Sequence, residues 1–237
     1  MSLSVTVLEV PARFDDVEGR VTWIEARLAR EAPGDVVVLP ETCLTGYVSP
    51  TGDFNLSRFA EPLEGRQLAA LRSIAARFDT TVIGPVIERE GLQCFNAEVV
   101  VTPDGTVRAH YRKRHPWMPE TWATAGTLPL PVFELGGLQC SLAVCFDVHF
   151  LAEDAAEVLR AIDVLFFPSA WVDDEGDSRP GHLTTLAKQF DVTIVNANWG
   201  VGRPRVPGQG GSMIVSRSGA LLARTTARGT RLDVRLD

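Results

Sequence analysis

The sequence predicts an α/β fold with mixed β-sheet, on three observations. Segments with apolar residues at helical spacing alternate with the continuous or alternating apolar runs that are typical of strands. Turn residues at Pro103-Asp104-Gly105 and Ser218-Gly219 join neighbouring runs as hairpins, which adds antiparallel pairs to the parallel strands of an α/β sheet. No Ser/Gly-rich segment or run of like charge divides the chain, so we expect residues 1–237 to form a single domain.

The first half of the chain alternates strands and helices. A strand at residues 4–10 precedes a helix at residues 17–32, and the run VVVLP at residues 36–40 is typical of a strand buried on both faces. A long irregular loop, of the kind that forms pocket walls, then leads to an amphipathic helix with apolar positions at Leu68, Leu71, Ala75 and Phe78. Three further strands are predicted, at residues 81–87, 96–102 and 106–111.

The second half continues this alternation. The predicted strands cover residues 132–135, 138–144, 163–168, 192–197 and 232–236, with a closing hairpin around Ser218-Gly219. The predicted helices cover residues 151–162 and 182–190. The second of these strands ends at Cys145, where a polar, helix-compatible segment begins.

The composition excludes several classes of partner. A formal charge of −7 and a pI near 5.2 disfavour nucleic acid, and the basic run RKRH at residues 112–115 is expected to be a solvated turn. The four histidines and four cysteines show no metal-ligand spacing, so we expect free thiols and no metal site. No apolar run approaches the roughly 18 residues of a membrane span, and no signal-like segment begins the chain, so we expect a soluble, cytoplasmic protein.

Three charged residues stand at positions that need an explanation. Glu41 directly follows a buried strand, and the sequence leaves open whether it bonds to its own loop or takes part in chemistry. Lys113 follows the strand at residues 106–111, where exposure to solvent is an equal alternative. Glu120 lies among large apolar residues, either at the surface or as a deliberately positioned charge.

Cys145 stands at a predicted strand-to-helix corner. A thiol there is a candidate nucleophile, because backbone N–H groups left unpaired at the start of a helix can hold an oxyanion. On these residues alone, a small buried hydrophobic side chain is the commoner alternative. Sites in α/β sheets collect at the carboxyl ends of strands, and three such ends carry Glu41, Lys113 and Cys145.

Three segments give the chain a family resemblance. VVVLPETCLTGY contains Glu41, FNAEVVVTPDGTVRAHYRKRHPW contains Lys113, and LAVCFDVHF contains Cys145. Joined by DVLFFPSAW, VTIVNANWG and GGSMIVSRSGALLA, they resemble the nitrilase, or carbon-nitrogen hydrolase, superfamily over nearly the whole chain. The resemblance implies a four-layer αββα sandwich and an αββα-αββα homodimer. It also implies a Glu-Lys-Cys triad with Glu120 as a further residue that helps to position the substrate and the lysine.

The resemblance implies thiol chemistry on a small amide, with no metal or organic cofactor. Cys145 would attack the amide carbon while Glu41 accepts its proton, and Lys113 with the backbone N–H of Phe146 would hold the oxyanion. The resulting thioester would then be hydrolysed by water. A cation beside a thiol favours the thiolate, so we expect Lys113 to lower the pKa of Cys145.

The segment after Cys145 departs from the family pattern. It reads CFDVHFLAE, whereas many members resemble C-[YW]-D-x-R-F-P-E, so His149 replaces an arginine and Leu151 a proline. A histidine is smaller and often neutral at pH 7, so this position lacks the permanent charge of arginine. Arg203 and Arg205 are candidate substitutes for binding a substrate carboxylate, although exposed loop charges are the simpler interpretation.

The expected substrate pocket is small and partly apolar. Trp171 matches a position that often lines the pocket in the family, and His149, Trp117 and Asn198 are further candidates for its wall. An amide is the favoured substrate. An N-carbamoyl amino acid, a nitrile, acyl transfer to an amine and a non-catalytic binding or scaffold protein are the alternatives. The chain ends soon after residues 232–236, which favours a dimer over larger assemblies.

Overall fold

The structure is a computed structural model that describes residues 2–173, 176–226 and 229–237. In chain order the strands are β1 (Leu3–Leu8), β2 (Pro11–Arg13), β3 (Val36–Val38), β4 (Thr81–Glu90), β5 (Gln93–Val101), β6 (Val107–Arg112), β7 (Val132–Leu135), β8 (Leu138–Leu142), β9 (Val164–Ser169), β10 (Thr193–Asn198), β11 (Gly200–Arg203), β12 (Met213–Val215), β13 (Leu221–Arg224) and β14 (Arg231–Leu236). The helices are α1 (Val17–Arg30), α2 (Arg66–Phe78), α3 (Leu151–Asp154), α4 (Ala156–Ala161) and α5 (Arg179–Phe190). Ser57–Phe59 and Cys145–His149 form short 3-10 helices.

The described strands form two six-stranded sheets and one two-stranded sheet. The first large sheet has the order β14-β1-β3-β4-β5-β6, and the second has the order β13-β12-β10-β9-β8-β7. Each contains three neighbouring parallel strands, β1-β3-β4 in one and β8-β9-β10 in the other. Antiparallel strands extend both sheets on either side, so the prediction of mixed β-sheet is confirmed.

Helices cover the outer face of each large sheet, which gives four layers. α1 and α2 pack on the first sheet through apolar residues such as Ile24, and α5 packs on the second through residues such as Leu183. Between the sheets, Val38 of β3 and Phe166 of β9 belong to one apolar core. This is the expected αββα arrangement. None of the helices in the described part of the chain is long and apolar enough to cross a membrane.

Some element boundaries differ from the predicted ones. α5 begins at Arg179 rather than at residue 182, because Pro180 is compatible with the first turn of a helix. The helix predicted at residues 151–162 is divided into α3 and α4 at Ala155, whose φ of −136° lies outside the helical region. The parallel pair of β2 and β11 was not predicted, since strands this short leave no readable period.

The strand directions bring three chain segments to one edge of the sandwich. β3 and β6 run in the same direction, because β4 is parallel to β3 while β5 is antiparallel to both β4 and β6. Their carboxyl ends therefore lie at the same edge of the first sheet, where Glu41 and Lys113 follow. The carboxyl end of β8, which leads to Cys145, meets this edge from the second sheet.

Candidate active site

A buried lysine lies at the centre of the site. The Nζ of Lys113 donates to Oε1 of Glu41 at 2.7 Å and to Oε2 of Glu120 at 2.8 Å, and all three side chains are 0% exposed. Burial opposes the charge on Lys113, but the two carboxylates outweigh it and hold the pKa of Lys113 above its ordinary value. Lys113 is thus a buried cation shared by two acids, and not the exposed loop residue that the sequence left open.

Asn96 on β5 joins the two carboxylates. Its Nδ2 donates to Oε1 of Glu41 at 2.7 Å and to Oε1 of Glu120 at 2.9 Å. The backbone N–H of Lys113 in turn donates to the carbonyl of Asn96 at 2.8 Å. The pairing of β5 with β6 therefore sets the distance between Asn96 and Lys113. Sequence reasoning missed Asn96. An amide within the strand FNAEVVV, in which Asn96 and Glu98 are the two polar residues, is the signal that could have found it.

Backbone N–H groups also donate to both carboxylates. The backbone N–H of Ala170 donates to Oε2 of Glu41 at 2.8 Å, and the backbone N–H of Trp117 donates to Oε2 of Glu120 at 2.7 Å. Burial and the neighbouring charge of Glu120 raise the pKa of Tyr47 well above its ordinary value. Burial raises the pKa of Glu120, against the attraction of Lys113. Both acids are therefore held in one orientation by donors from several chain segments.

Cys145 begins the 3-10 helix that follows β8. Its φ of +45° lies in the left-handed region, which is uncommon for a residue with a Cβ and is typical of constrained turns at functional sites. Asp147 anchors this turn, because its carboxylate accepts from the backbone N–H of Val144 at 3.0 Å and from that of His115 at 2.9 Å. Asp147 thereby connects the turn at Cys145 to the segment after Lys113.

Lys113 lowers the pKa of Cys145, as expected, but the net shift of this pKa is upward, so the expected preference for the thiolate is wrong. Burial raises the pKa of Cys145 well above its ordinary value, and the charge of Glu41 raises it further, while the attraction of Lys113 opposes the shift without cancelling it. A thiolate would add a third anion to a buried site in which one ammonium already faces two carboxylates. These charges and the burial therefore favour the neutral thiol of Cys145 over the thiolate.

A cavity of about 250 Å³ opens onto Cys145. Trp171, Trp117 and His149 line it, where the sequence predicted a pocket wall, and Phe146 lies beside them. A larger cleft of about 700 Å³ runs along α1 and is not lined by Glu41, Lys113 or Cys145, so the smaller cavity is the candidate substrate site.

The expectation that Asn198 lines the pocket needs correction. Its Nδ2 donates to the carbonyl oxygens of Gly208 and Gly210, both at 2.8 Å. Its Oδ1 accepts from the backbone N–H of Trp171 at 3.0 Å and from the hydroxyl of Ser169 at 3.0 Å. The side chain is fully buried by these contacts and supports Trp171 from behind, because β10 turns it toward the interior.

The basic run around Lys113 is neutralised within the protein. Arg112 pairs with Glu88 at 2.5 Å, and Arg114 pairs with Asp154 at 3.5 Å. The run is therefore not the solvated turn that the sequence suggested. In the part of the chain that the structure describes, no group of three or more His, Cys, Asp or Glu side chains could hold a metal ion.

One protein family matches the chain almost from end to end. A family model described as carbon-nitrogen hydrolase matches residues 10–232. The sequence is 28% identical over 86% of this chain to an (R)-stereoselective amidase from Pseudomonas sp. It is 26% identical to 2-oxoglutaramate amidase from Bacillus subtilis (strain 168), over 94% of this chain and 86% of that protein. The chain spans 73% of the length of the Pseudomonas amidase, but 36–60% of the lengths of three other relatives.

Solved structures share the fold. An amidase from Nesterenkonia sp. AN1 matches with a TM-score of 0.81 and 25% identity, over 99% of this chain and 93% of that chain. That structure is of a variant and shows the result of Michael addition of acrylamide at its active-site cysteine. A CN-hydrolase superfamily protein from Xanthomonas campestris matches with a TM-score of 0.86 over 100% of this chain and 91% of that chain. At 21% identity, this second likeness concerns the fold alone.

Proposed function

We propose a specific reaction for this chain, which belongs to the carbon-nitrogen hydrolase family: the hydrolysis of a small amide through a thioester on Cys145. The chain is an amidase-like member of the nitrilase superfamily. One observation carries the assignment of residues. The buried ammonium of Lys113 is held by both Glu41 and Glu120, next to a thiol that needs a base.

Glu41 is the base for the first step. Because the Cys145 thiol is neutral, its proton moves to a carboxylate oxygen of Glu41 as the sulfur forms its bond to the amide carbon. The electron pair of the carbonyl bond moves to the oxygen, which becomes an oxyanion. The hydrogen bonds from Asn96 and from the Ala170 N–H hold Glu41 in one orientation for this transfer.

Two donors stabilise the oxyanion. An ammonium group has three N–H donors, and among the described contacts Lys113 directs two of them to Glu41 and Glu120. The third is available to the substrate oxygen. The backbone N–H of Phe146, which directly follows the left-handed residue Cys145, is the second donor. One such donor typically contributes about 10²–10³-fold in kcat.

Collapse of the tetrahedral intermediate breaks the C–N bond. Glu41 returns the proton to the departing nitrogen, so ammonia or an amine leaves and Cys145 carries the acyl group as a thioester. A water molecule then attacks the same carbon while Glu41 accepts its proton. The C–S bond breaks, the proton passes from Glu41 to the sulfur, and the carboxylic acid leaves.

We also propose that residues 1–237 form one domain, that the protein acts as a homodimer and that it works in the cytoplasm. The family model, which matches residues 10–232, supports the single domain. A reducing compartment suits an enzyme whose nucleophile must remain a thiol, and all four cysteines are free. Sedimentation of the purified protein will test the dimer.

Ammonia release from a panel of small amides, nitriles and N-carbamoyl amino acids tests the reaction. We expect release from amides, and its loss in Cys145→Ser and Glu41→Gln. Cys140→Ala is the matched control, because Cys140 lies within β8 and burial raises its pKa to about 12. Full activity of the Cys145 variant would overturn the proposal. Activity on nitriles alone would overturn the choice of an amide as substrate. If the wild-type protein released no ammonia from any compound of the panel, a binding or scaffold role would be favoured.

A further inference from the structure

His149 lies on the wall of the cavity that opens onto Cys145. It lies four residues after Cys145 on the same 3-10 segment, and both residues line the cavity. Its ring contacts three others, with centroid distances of 4.9 Å to Phe146, 5.9 Å to Trp171 and 4.8 Å to His182. The imidazole is exposed and lies beside these aromatic rings on the wall of the cavity that contains Cys145.

Among the described residues that line the cavity, Asp173 has an acidic side chain. Asp173 lines the cavity, and one of its carboxylate oxygens accepts from the indole N–H of Trp171 at 3.3 Å, from the backbone N–H of Ser178 at 2.9 Å and from the Ser178 hydroxyl at 2.6 Å. These contacts orient the Asp173 carboxylate at the cavity wall. An acyl group that carries its own carboxylate would be brought next to a like charge.

No lysine or arginine is among the described residues that line the cavity. Arg203 and Arg205, the candidate cations from the sequence, are exposed and lie outside this lining. The ammonium of Lys113 is already shared by Glu41 and Glu120. Burial and the neighbouring His182 also hold the pKa of His149 below its ordinary value, so its imidazole is neutral near pH 7.

We infer that His149 is a specificity-determining residue, and that this site accepts uncharged acyl groups in preference to acyl groups that carry a carboxylate. The inference rests on the proposed amide hydrolysis and names its substrate class. A carboxylate entering the cavity would lose water of hydration against aromatic rings and Asp173, and would find a neutral imidazole in return. An uncharged group of the same shape avoids this cost.

Succinamide and succinamate form a matched pair of probes, because they differ only in an amide group replaced by a carboxylate. We expect kcat/KM for succinamide to exceed that for succinamate by about tenfold or more, since a charged group placed without its partner costs at least this much. Equal values, or a preference for succinamate, would overturn the inference.

His149→Arg tests the residue itself. A guanidinium can bind a carboxylate through two parallel N–H donors, so the ratio of succinamate to succinamide turnover should rise by about tenfold, mainly through a lower KM for succinamate. His149→Gln is the control, because it replaces the ring by another neutral hydrogen-bonding group. An unchanged ratio in His149→Arg, or an equal rise in His149→Gln, would contradict the role of His149. If His149→Arg does not fold, as judged by circular dichroism, the wild-type comparison remains the test.

Intact-mass measurement of the wild-type protein separates this inference from the proposed reaction. If neither probe nor any other amide acylates Cys145, the proposed reaction itself fails. If succinamide and succinamate acylate Cys145 at equal rates, the reaction stands and only the inference about substrate class fails.

Discussion

The Nζ of Lys113 lies 2.7 Å from Oε1 of Glu41, and neither side chain is exposed to solvent. An ion pair withdrawn from water persists only where good geometry and further hydrogen bonds offset the loss of hydration. Asn96 and Glu120 supply those bonds. The charges of the site consequently contribute to the stability of the fold as well as to the proposed chemistry.

Lys113→Met should lower the free energy of unfolding by about 3–5 kcal/mol, because it leaves two buried carboxylates without their cation. Urea denaturation measures this change, and ammonia release should be lost in the same variant. Cys145→Ala is the comparison, since it removes turnover without removing a charge and should remain close to wild type in stability. A Lys113→Met protein as stable as wild type would show that the buried charge network does not exist.

Asn96 is expected to act as a positioning residue. In Asn96→Leu both carboxylates lose a donor, so kcat should fall by about tenfold or more while KM changes little. Asn96→Asp should be worse, because it places a third acid beside Glu41 and Glu120. Steady-state kinetics on one amide measures both. If the two variants had equal activity, the amide of Asn96 would have no electrostatic role.

The reactivity of Cys145 should follow the charges around it. Glu41 raises the thiol pKa and Lys113 lowers it, so Glu41→Gln should move the pH profile of alkylation by iodoacetamide to lower pH, and Lys113→Met to higher pH. Peptide mapping restricts the measurement to Cys145. In the wild-type protein the rate should still be rising above pH 9, the ordinary value for this thiol. A plateau near pH 7 would mean that the resting site holds a thiolate.

Glu98 on β5 should make stability depend on pH. It is fully buried, and neither of its carboxylate oxygens has a hydrogen-bond partner among the described residues. Burial raises its pKa well above the ordinary value of 4.5, and the charge of Glu41 adds to this. Above pH 4.5 the unfolded chain therefore releases the proton of Glu98, whereas the folded protein keeps it. The stability from this proton is complete below pH 4.5 and is lost as pH rises toward the folded-state pKa.

Glu98→Gln removes this titration. The stability difference between Glu98→Gln and wild type should shift in favour of the variant as pH rises above 4.5, by up to about 1.4 kcal/mol per pH unit. Urea denaturation at several pH values measures the difference. A difference that does not change with pH would mean that Glu98 is ionised in the folded protein.

The placement of Glu41, Lys113 and Cys145 could be predicted because each follows a predicted strand. Strand direction then brings the carboxyl ends of these strands to one edge of the sandwich. The strand pattern therefore predicts that the three residues lie close together. The burial of Lys113 could not be decided in this way. Its partner Glu41 stands 72 residues earlier in the chain, and only the folded sheet shows that the two meet.

The thiol pKa was mispredicted because it depends on a sum of charges and on burial. The prediction considered only the attraction between Lys113 and the thiolate. Glu41 and Glu120 also lie near Cys145, and their charges raise its pKa. The directions in which the Asn96 and Asn198 side chains point could not be predicted from the sequence either. Asn96 points into the site and Asn198 supports the wall from behind, and each outcome is set by strand register rather than by residue type.

The most direct test of the proposed thioester on Cys145 is a rapid-quench experiment with a small amide, followed by peptide mapping of the protein. A thioester at Cys145 should form as ammonia is released and should decay as the acid accumulates, and no adduct should form in Cys145→Ala. Product formation with the acyl group on another residue, or with no covalent adduct and full turnover in Cys145→Ala, would contradict the proposed reaction.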